Sequence, residues 1–156
     1  MSGYRPAPAF ANTLDSITSR QISSVRRAAK RHPDDGEARA RLGLALAIRG
    51  DLKEAEAALL KARVAKFRGP LVGRAYNNVG DHYRQRNEVD QAVDAYNRAD
   101  RVGKDPVVRA YAKTRLLECY RARGDTRRAQ QVARALARLK GAPQEYVDRA
   151  KEFLEG

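Results

Sequence analysis

The sequence predicts an all-α protein built as a stack of helix–turn–helix repeats, with one extra helix at each end. The main observation is a pattern of small and apolar residues that returns three times at a spacing of 37 residues. Each copy contains two stretches whose apolar residues recur every three or four positions, as in amphipathic helices. The chain also has no Trp and only 6% aromatic residues. Ala and Leu must therefore fill most of the core, and both residues favour helices.

The first half of each repeat carries three recurring columns of small or apolar residues. Their spacing of four positions places them on one face of a helix, which would be its buried side. The columns hold Ala38, Ala75 and Ala112; Leu42, Val79 and Leu116; and Leu46, Tyr83 and Tyr120. We therefore expect one amphipathic helix in this half of every repeat.

A turn signal follows each of these helices. Gly or Asn stands first, and these residues tolerate the left-handed backbone conformation that ends many helices. An acidic residue comes next, where its charge would face the positive end of the following helix. A small Ala four residues later would let the two helices of a pair approach closely. The three columns hold Gly50, Asn87 and Gly124; Asp51, Glu88 and Asp125; and Ala55, Ala92 and Ala129.

The columns resemble the tetratricopeptide repeat (TPR), which has Leu-Gly, Tyr, Ala, an aromatic residue and a further Ala at fixed offsets. The second repeat matches this pattern most fully, through Tyr76, Val79, Gly80, Tyr83, Ala92, Tyr96 and Ala99. The third repeat has Leu117 in place of the Gly and Ala133 in place of the later aromatic residue. The resemblance implies a right-handed superhelical stack in which the first helix of each pair lines a concave groove.

The period is about one helical turn longer than the 34 residues usual in this family. The extra residues fall between the repeats, where Pro70 and Pro106 suit the first position of a helix. We therefore expect the second and third repeats to open at these prolines.

The two ends of the chain do not fit the columns. Residues 13–31 form a further amphipathic stretch, with Asn12 or Thr13 as its cap and Pro33 beyond its end. Residues 143–154 begin with Pro and carry apolar residues at helical spacing, as expected of a helix that caps a stack. The resulting division is a mobile Pro-rich segment at 1–12, a packing helix at 13–35, repeats at 36–72, 73–109 and 110–140, and a capping helix at 141–156.

The resemblance places ten residues in the concave groove. Asn77 and Asn78 would be exposed there, and an Asn amide can both donate to and accept from a peptide backbone. Arg84, Arg115 and Arg121 could clamp an acidic segment through forked hydrogen bonds. The full set is Arg41, Leu44, Arg74, Asn77, Asn78, Asp81, Arg84, Arg115, Glu118 and Arg121. This groove predicts a non-catalytic adaptor or scaffold that holds an extended, acidic segment of a partner protein.

The alternative for the same residues is a solvated polar face with local ion pairs, such as Arg84 with Asp81 and Arg121 with Glu118. The five-residue carboxylate clamp by which some TPR domains capture chaperone tails is matched only at Asn78 and Arg115. Its other three places are held by Ala40, Leu44 and Tyr111. A chaperone tail is therefore not the expected guest.

The net charge of +13 predicts attraction to an acidic partner of some kind. A basic patch is expected on the second helix of the third repeat, on the convex side. It consists of Arg127, Arg128, Arg134, Arg138 and Lys140. Binding of nucleic acid through its phosphates is an alternative function for this patch, and a solvated cationic face is the simpler interpretation. A third possibility is self-association through a terminal helix.

The sequence offers no basis for an enzyme, a cofactor or a metal site. No Gly-rich phosphate loop or zinc-protease motif is present. His82 and Cys119 share a column with Ala45, which indicates a packed position rather than a catalytic pair. The single Cys excludes an intramolecular disulfide, and no apolar stretch is long enough for a membrane helix. These features favour a cytoplasmic setting.

Overall fold

The computed structural model describes residues 17–156. These residues form eight helices and no strand. In chain order the helices are α1 (Ser19–Arg31), α2 (Gly36–Arg49), α3 (Leu52–Val64), α4 (Pro70–Gln85), α5 (Val89–Val102), α6 (Pro106–Ala122), α7 (Thr126–Ala137) and α8 (Gln144–Glu155). The predicted all-α repeat architecture, with an additional helix at each end, is confirmed.

Helix α1 begins later than predicted. Thr18 is its N-cap, and its side chain accepts a hydrogen bond from the backbone N–H of Gln21. The Gln21 side chain in turn accepts from the N–H of Thr18, which completes a capping box. The expected caps, Asn12 and Thr13, lie outside the described residues, as does the Pro-rich segment at 1–12.

The turns within the three helix pairs have the predicted geometry. Gly50, Asn87 and Gly124 all have positive φ angles, of 90°, 60° and 71° respectively. The acidic residue that follows each of them is the N-cap of the next helix. Only Asp125 also accepts a backbone hydrogen bond through its side chain, from the N–H of Arg128. The carboxylates therefore stand at positive helix ends.

Pro70 and Pro106 are the first residues of α4 and α6, as expected. Both helices therefore begin before the predicted repeat boundaries at residues 73 and 110. They have 16 and 17 residues, against 14 in α2. Part of the longer period thus lies in additional helix at the start of α4 and α6.

Each second helix packs on the first helix of its own pair and on that of the next pair. The first helices also contact one another, α2 with α4 and α4 with α6. Helix α1 packs on α2 as α5 packs on α6. Helix α8 packs on α7 and α6 as α6 packs on α5 and α4. By position, α1 is therefore the second helix of a preceding pair, and α8 is the first helix of a fourth.

Close packing within a pair depends on a small residue opposite a large one. A Cβ atom added at Gly43 would lie 2.7 Å from the Leu59 side chain, and one added at Gly80 would lie 2.5 Å from the Tyr96 ring. In the third pair the order is reversed, because Leu117 takes the Gly column and Ala133 the aromatic column. Exchanging the large and small residues conserves the core volume, which explains this departure from the TPR pattern.

The outer side of α8 is mainly charged, which suits the end of a stack. Its exposed residues include Glu145, Asp148, Lys151 and Glu155. Between residues 17 and 156, no helix combines the length and the apolar character needed to cross a membrane.

Candidate functional site

Asp81 joins three helices around the centre of the predicted groove. Its Oδ1 accepts a 2.5 Å hydrogen bond from Tyr96 on α5, and its Oδ2 accepts one of 2.5 Å from Tyr111 on α6. Burial raises the pKa of both phenols, and the neighbouring Asp81 carboxylate raises it further. Both tyrosines therefore remain protonated donors, and they fix the α4–α5–α6 junction.

Arg115 extends this network along α6. Its Nε donates to the Tyr111 hydroxyl at 3.2 Å and lies 3.6 Å from Asp81 Oδ1. Its Nη1 lies 2.9 Å from Glu118 Oε2. Burial alone would lower the pKa of Arg115, but the neighbouring Tyr111, Asp81 and Glu118 raise it overall. The guanidinium is thus held in place by groups of the protein itself.

The ion pairs differ from those that the sequence suggested. Arg84 does not pair with Asp81; its Nη1 lies 2.6 Å from Glu118 Oε2, on the neighbouring first helix. Arg121 does not pair with Glu118; its guanidinium lies over the ring of Phe153, 5.3 Å from the centroid. Pairing across helices is favoured because α4 and α6 lie side by side.

The expectation that Asn77 and Asn78 are exposed is wrong. Their exposed fractions are 5% and 7%. Asn77 Nδ2 donates to the backbone oxygen of Val108 at 3.2 Å, which ties α4 to the start of α6. Asn78 Nδ2 donates to the backbone oxygen of Arg74 at 2.9 Å. The start of α6 lies against Asn77, and the amide nitrogens of both residues donate to backbone oxygens of the protein itself, so they are not open to a peptide backbone.

At the N-terminal end of the predicted groove, the apolar residues belong largely to the core. Ala40 and Ala47 are fully buried, and Leu44 is half-buried against its neighbours. Arg41 remains open, with a side chain 61% exposed and an ion pair to Glu37 one turn earlier. Arg74 is half-buried on α4. Ala40, Ala47 and Leu44 therefore offer little apolar surface to a ligand.

An open space lies between α6 and α8. One cavity of about 580 Å³ and another of about 250 Å³ share Thr114, Glu118 and Arg149 in their linings. Leu117, Arg121 and Phe153 line the larger cavity, among other residues. Tyr111, Arg115 and Tyr146 line the smaller one. We call this region the α6–α8 groove.

The residues that α8 contributes to this groove were not among the predicted site residues. They are Tyr146, Arg149, Glu152 and Phe153. One signal could have found them, because Pro143 follows Pro106 by the repeat period of 37 residues. That spacing marks α8 as the first helix of another pair, and first helices were the ones expected to line the groove.

All five residues of the predicted basic patch are exposed. Arg128 lies 3.5 Å from Asp125 and also stacks on the Tyr120 ring. Helix α7 ends at Ala137, so Arg138 is its C-cap and Lys140 lies in the following turn. The expectation that these two residues belong to the helix is wrong, because the helix stops before them.

The shared column of His82 and Cys119 is a packing position. His82 Nε2 lies 3.0 Å from the backbone oxygen of Ile48, which links α4 to α2. Cys119 is only 3% exposed, and burial raises the pKa of its thiol. Among residues 17–156, no cluster of three or more His, Cys, Asp or Glu side chains could hold a metal ion.

These features define a helical repeat protein with an open groove between α6 and α8, the first helices of its third and fourth pairs. The sequence model of the tetratricopeptide repeat matches residues 22–66 and 57–106, which together are more than half of the chain. The chain belongs to the tetratricopeptide repeat family. Repeats of this family commonly mediate protein–protein interactions, and the family is generally non-catalytic. A comparison with curated proteins finds no match.

Proposed function

We propose that this protein is a non-catalytic adaptor that binds an extended, acidic segment of a partner protein in the α6–α8 groove. The observation that carries the proposal is the pair of adjoining cavities between α6 and α8. A groove that is open along a helix suits an extended chain, and a TPR stack is a rigid support for it. The cytoplasmic setting expected from the sequence is part of the same proposal.

The division of charges supports an acidic guest at one end of the groove. Arg84 and Arg115 are engaged by Glu118. Arg121, by contrast, is exposed and makes no ion pair with any residue between 17 and 156. Its guanidinium stacks on Phe153, so a carboxylate bound there would also meet an aromatic surface. We therefore expect a guest segment with Asp or Glu beside an aliphatic or aromatic residue.

Peptide selection tests this proposal, because it does not require the partner protein to be identified. A random peptide library displayed on phage is selected on the purified chain, and the enriched peptide is synthesised with a fluorescent label. Binding is then measured by fluorescence anisotropy with wild type and with Arg121→Ala. Loss of a charged hydrogen bond costs about 1.5–3 kcal/mol, so we expect affinity to fall about ten- to a hundredfold.

Arg98→Ala is the matched control. Arg98 is an exposed arginine that also stacks on an aromatic ring, that of Tyr76, but it lies on α5 outside the groove. Its removal should leave peptide binding unchanged. Selected peptides without acidic residues, or equal loss of binding in both variants, would remove the support for an acidic guest in this groove.

A further inference from the structure

Helix α7 and the turn after it form a surface with cations and no acids. Residues 126–142 contain five Lys or Arg residues and not one Asp or Glu. Arg127, Gln131, Arg134 and Arg138 recur at intervals of four, three and four positions, so the helical repeat sets them along one face. All four are exposed. We call Arg127, Arg134, Arg138 and Lys140 the α7 cation stripe.

Several cations elsewhere in the described chain are paired with acids. Arg109 and Lys113 both pair with Asp100. Arg123, just before α7, pairs with Asp90. The four residues of the α7 cation stripe have no such partner among residues 17–156. No ion pair within the part of the chain that the structure describes therefore offsets their mutual repulsion.

We infer that the α7 cation stripe binds the phosphodiester backbone of a nucleic acid, without reading its sequence. Arg has a planar fork of donors that matches phosphate oxygens, and Gln130 and Gln131 add exposed amide donors. The exposed side of α7 has no aromatic residue on which bases could stack. These side chains can therefore contact the phosphodiester backbone but cannot stack on the bases. The inference does not depend on the α6–α8 groove.

An acidic protein and an anionic membrane, which are two other polyanions, fit this face less well. A protein interface usually contains an apolar anchor, and none of the large exposed hydrophobic residues of the described chain lies on α7. A helix that lies on a membrane inserts an apolar face, but the apolar side of α7 is packed against α6 and α8. A phosphodiester chain needs only charges and hydrogen-bond donors.

Helix α1 provides a matched comparison. Arg20, Arg27 and Arg31 are exposed and have the same spacing as Arg127, Arg134 and Arg138. Acidic residues follow α1 within six positions of its end, at Asp34, Asp35 and Glu37. Asp125 caps the start of α7 and pairs with Arg128, but no acid follows α7 before Glu145, so fewer carboxylates lie near the end of α7 than near the end of α1.

The test measures binding of a fluorescein-labelled DNA duplex of about 20 base pairs, and of single-stranded RNA of equal length, from about 50 to 200 mM salt. One variant carries Arg127→Gln, Arg134→Gln and Arg138→Gln. The control carries Arg20→Gln, Arg27→Gln and Arg31→Gln, with the same loss of charge. We expect the α7 variant to bind duplex DNA about 100-fold more weakly at low salt, with a salt slope smaller by about three. The α1 variant should change affinity by less than about threefold.

Several outcomes would overturn the inference. Equal weakening in both variants would show that net charge, and not the α7 cation stripe, causes the binding. Absence of salt-dependent binding to either nucleic acid would exclude this function. Labelled poly-glutamate or vesicles of anionic lipid, bound as tightly as the duplex, would assign the face to another polyanion. Circular dichroism melting of each variant establishes that the comparison is between folded proteins.

Discussion

The hydroxyl of Tyr111 donates a 2.5 Å hydrogen bond to the carboxylate of Asp81, and this bond joins the first helices of two successive repeats. Tyr96 donates to the other oxygen of the same carboxylate from the second helix between them. One acidic side chain therefore connects α4, α5 and α6. The α6–α8 groove depends on this junction, because α6 forms one of its walls.

Replacing Tyr111 by Phe should destabilise the stack more than a comparable change elsewhere. The variant loses a hydrogen bond to a charged group, which costs about 1.5–3 kcal/mol. Tyr83→Phe is the control, since Tyr83 is also half-buried but donates to Glu56 over a longer distance of 3.3 Å. Urea unfolding measures both variants. Equal losses would contradict the special role of the Asp81 junction.

Gly80→Ala should destabilise the protein, although Ala normally improves a helix by about 1 kcal/mol over Gly. The added methyl group would lie 2.5 Å from the Tyr96 ring, which its hydrogen bond to Asp81 holds in place. We expect a net loss of about 1–3 kcal/mol. In combination with Tyr96→Ala, which places at this column the small residue that the third pair has at Ala133, the loss should be smaller than the sum. Strictly additive losses would show that the two positions do not interlock.

The stability of the protein should decline above about pH 10. Burial and then Asp81 raise the pKa of Tyr96 in the folded state, whereas an unfolded tyrosine ionises near 10. The unfolded state therefore binds fewer protons at high pH, and stability falls by up to about 1.4 kcal/mol per pH unit for this residue. The difference in unfolding free energy between wild type and Tyr96→Phe should be constant below about pH 9 and shrink above pH 10. A difference that stays constant up to about pH 11 would contradict a raised pKa of Tyr96 in the folded state.

Cys119 should react very slowly with a thiol reagent in the folded protein. Its side chain is buried, and burial raises the pKa of its thiol. Reaction should become fast only in urea, at a rate that follows unfolding. His82→Ala should not alter the slow rate in the folded state. Fast native labelling that this variant abolishes would instead indicate a Cys–His nucleophile.

The helix pairs, their turns and their interhelical small residues follow from local patterns, so they could be predicted. The left-handed conformation of Gly50, Asn87 and Gly124 could be predicted from their residue type and position alone. Helix α1 was recognised as a helix but not as the second helix of a pair. Its capping residue, Thr18, precedes the corresponding Asp51 by 33 residues and not by 37. Helix α2 has 14 residues, against 16 in α4 and 17 in α6, and this shorter first helix is the main reason that α1 falls out of the repeat columns.

The partners of the groove residues were harder to predict, because they depend on how neighbouring helices are placed. Arg84 and Glu118 are 34 residues apart and lie on different helices. Considering one helix at a time therefore suggested the wrong partners, Asp81 for Arg84 and Arg121 for Glu118. The burial of Asn77 likewise depends on Val108, at the start of another helix. Arg121 and Phe153 meet only because α8 packs beside α6.

The most direct test of peptide binding in the α6–α8 groove is a map of the bound surface on the isotopically labelled protein by nuclear magnetic resonance. The peptide obtained by selection is titrated into the protein, and the backbone amide signals are followed. We predict that the largest shifts fall on Thr114, Glu118 and Arg121 of α6 and on Arg149 and Phe153 of α8. Shifts confined to α3 and α5, with those five signals unmoved, would contradict binding in this groove.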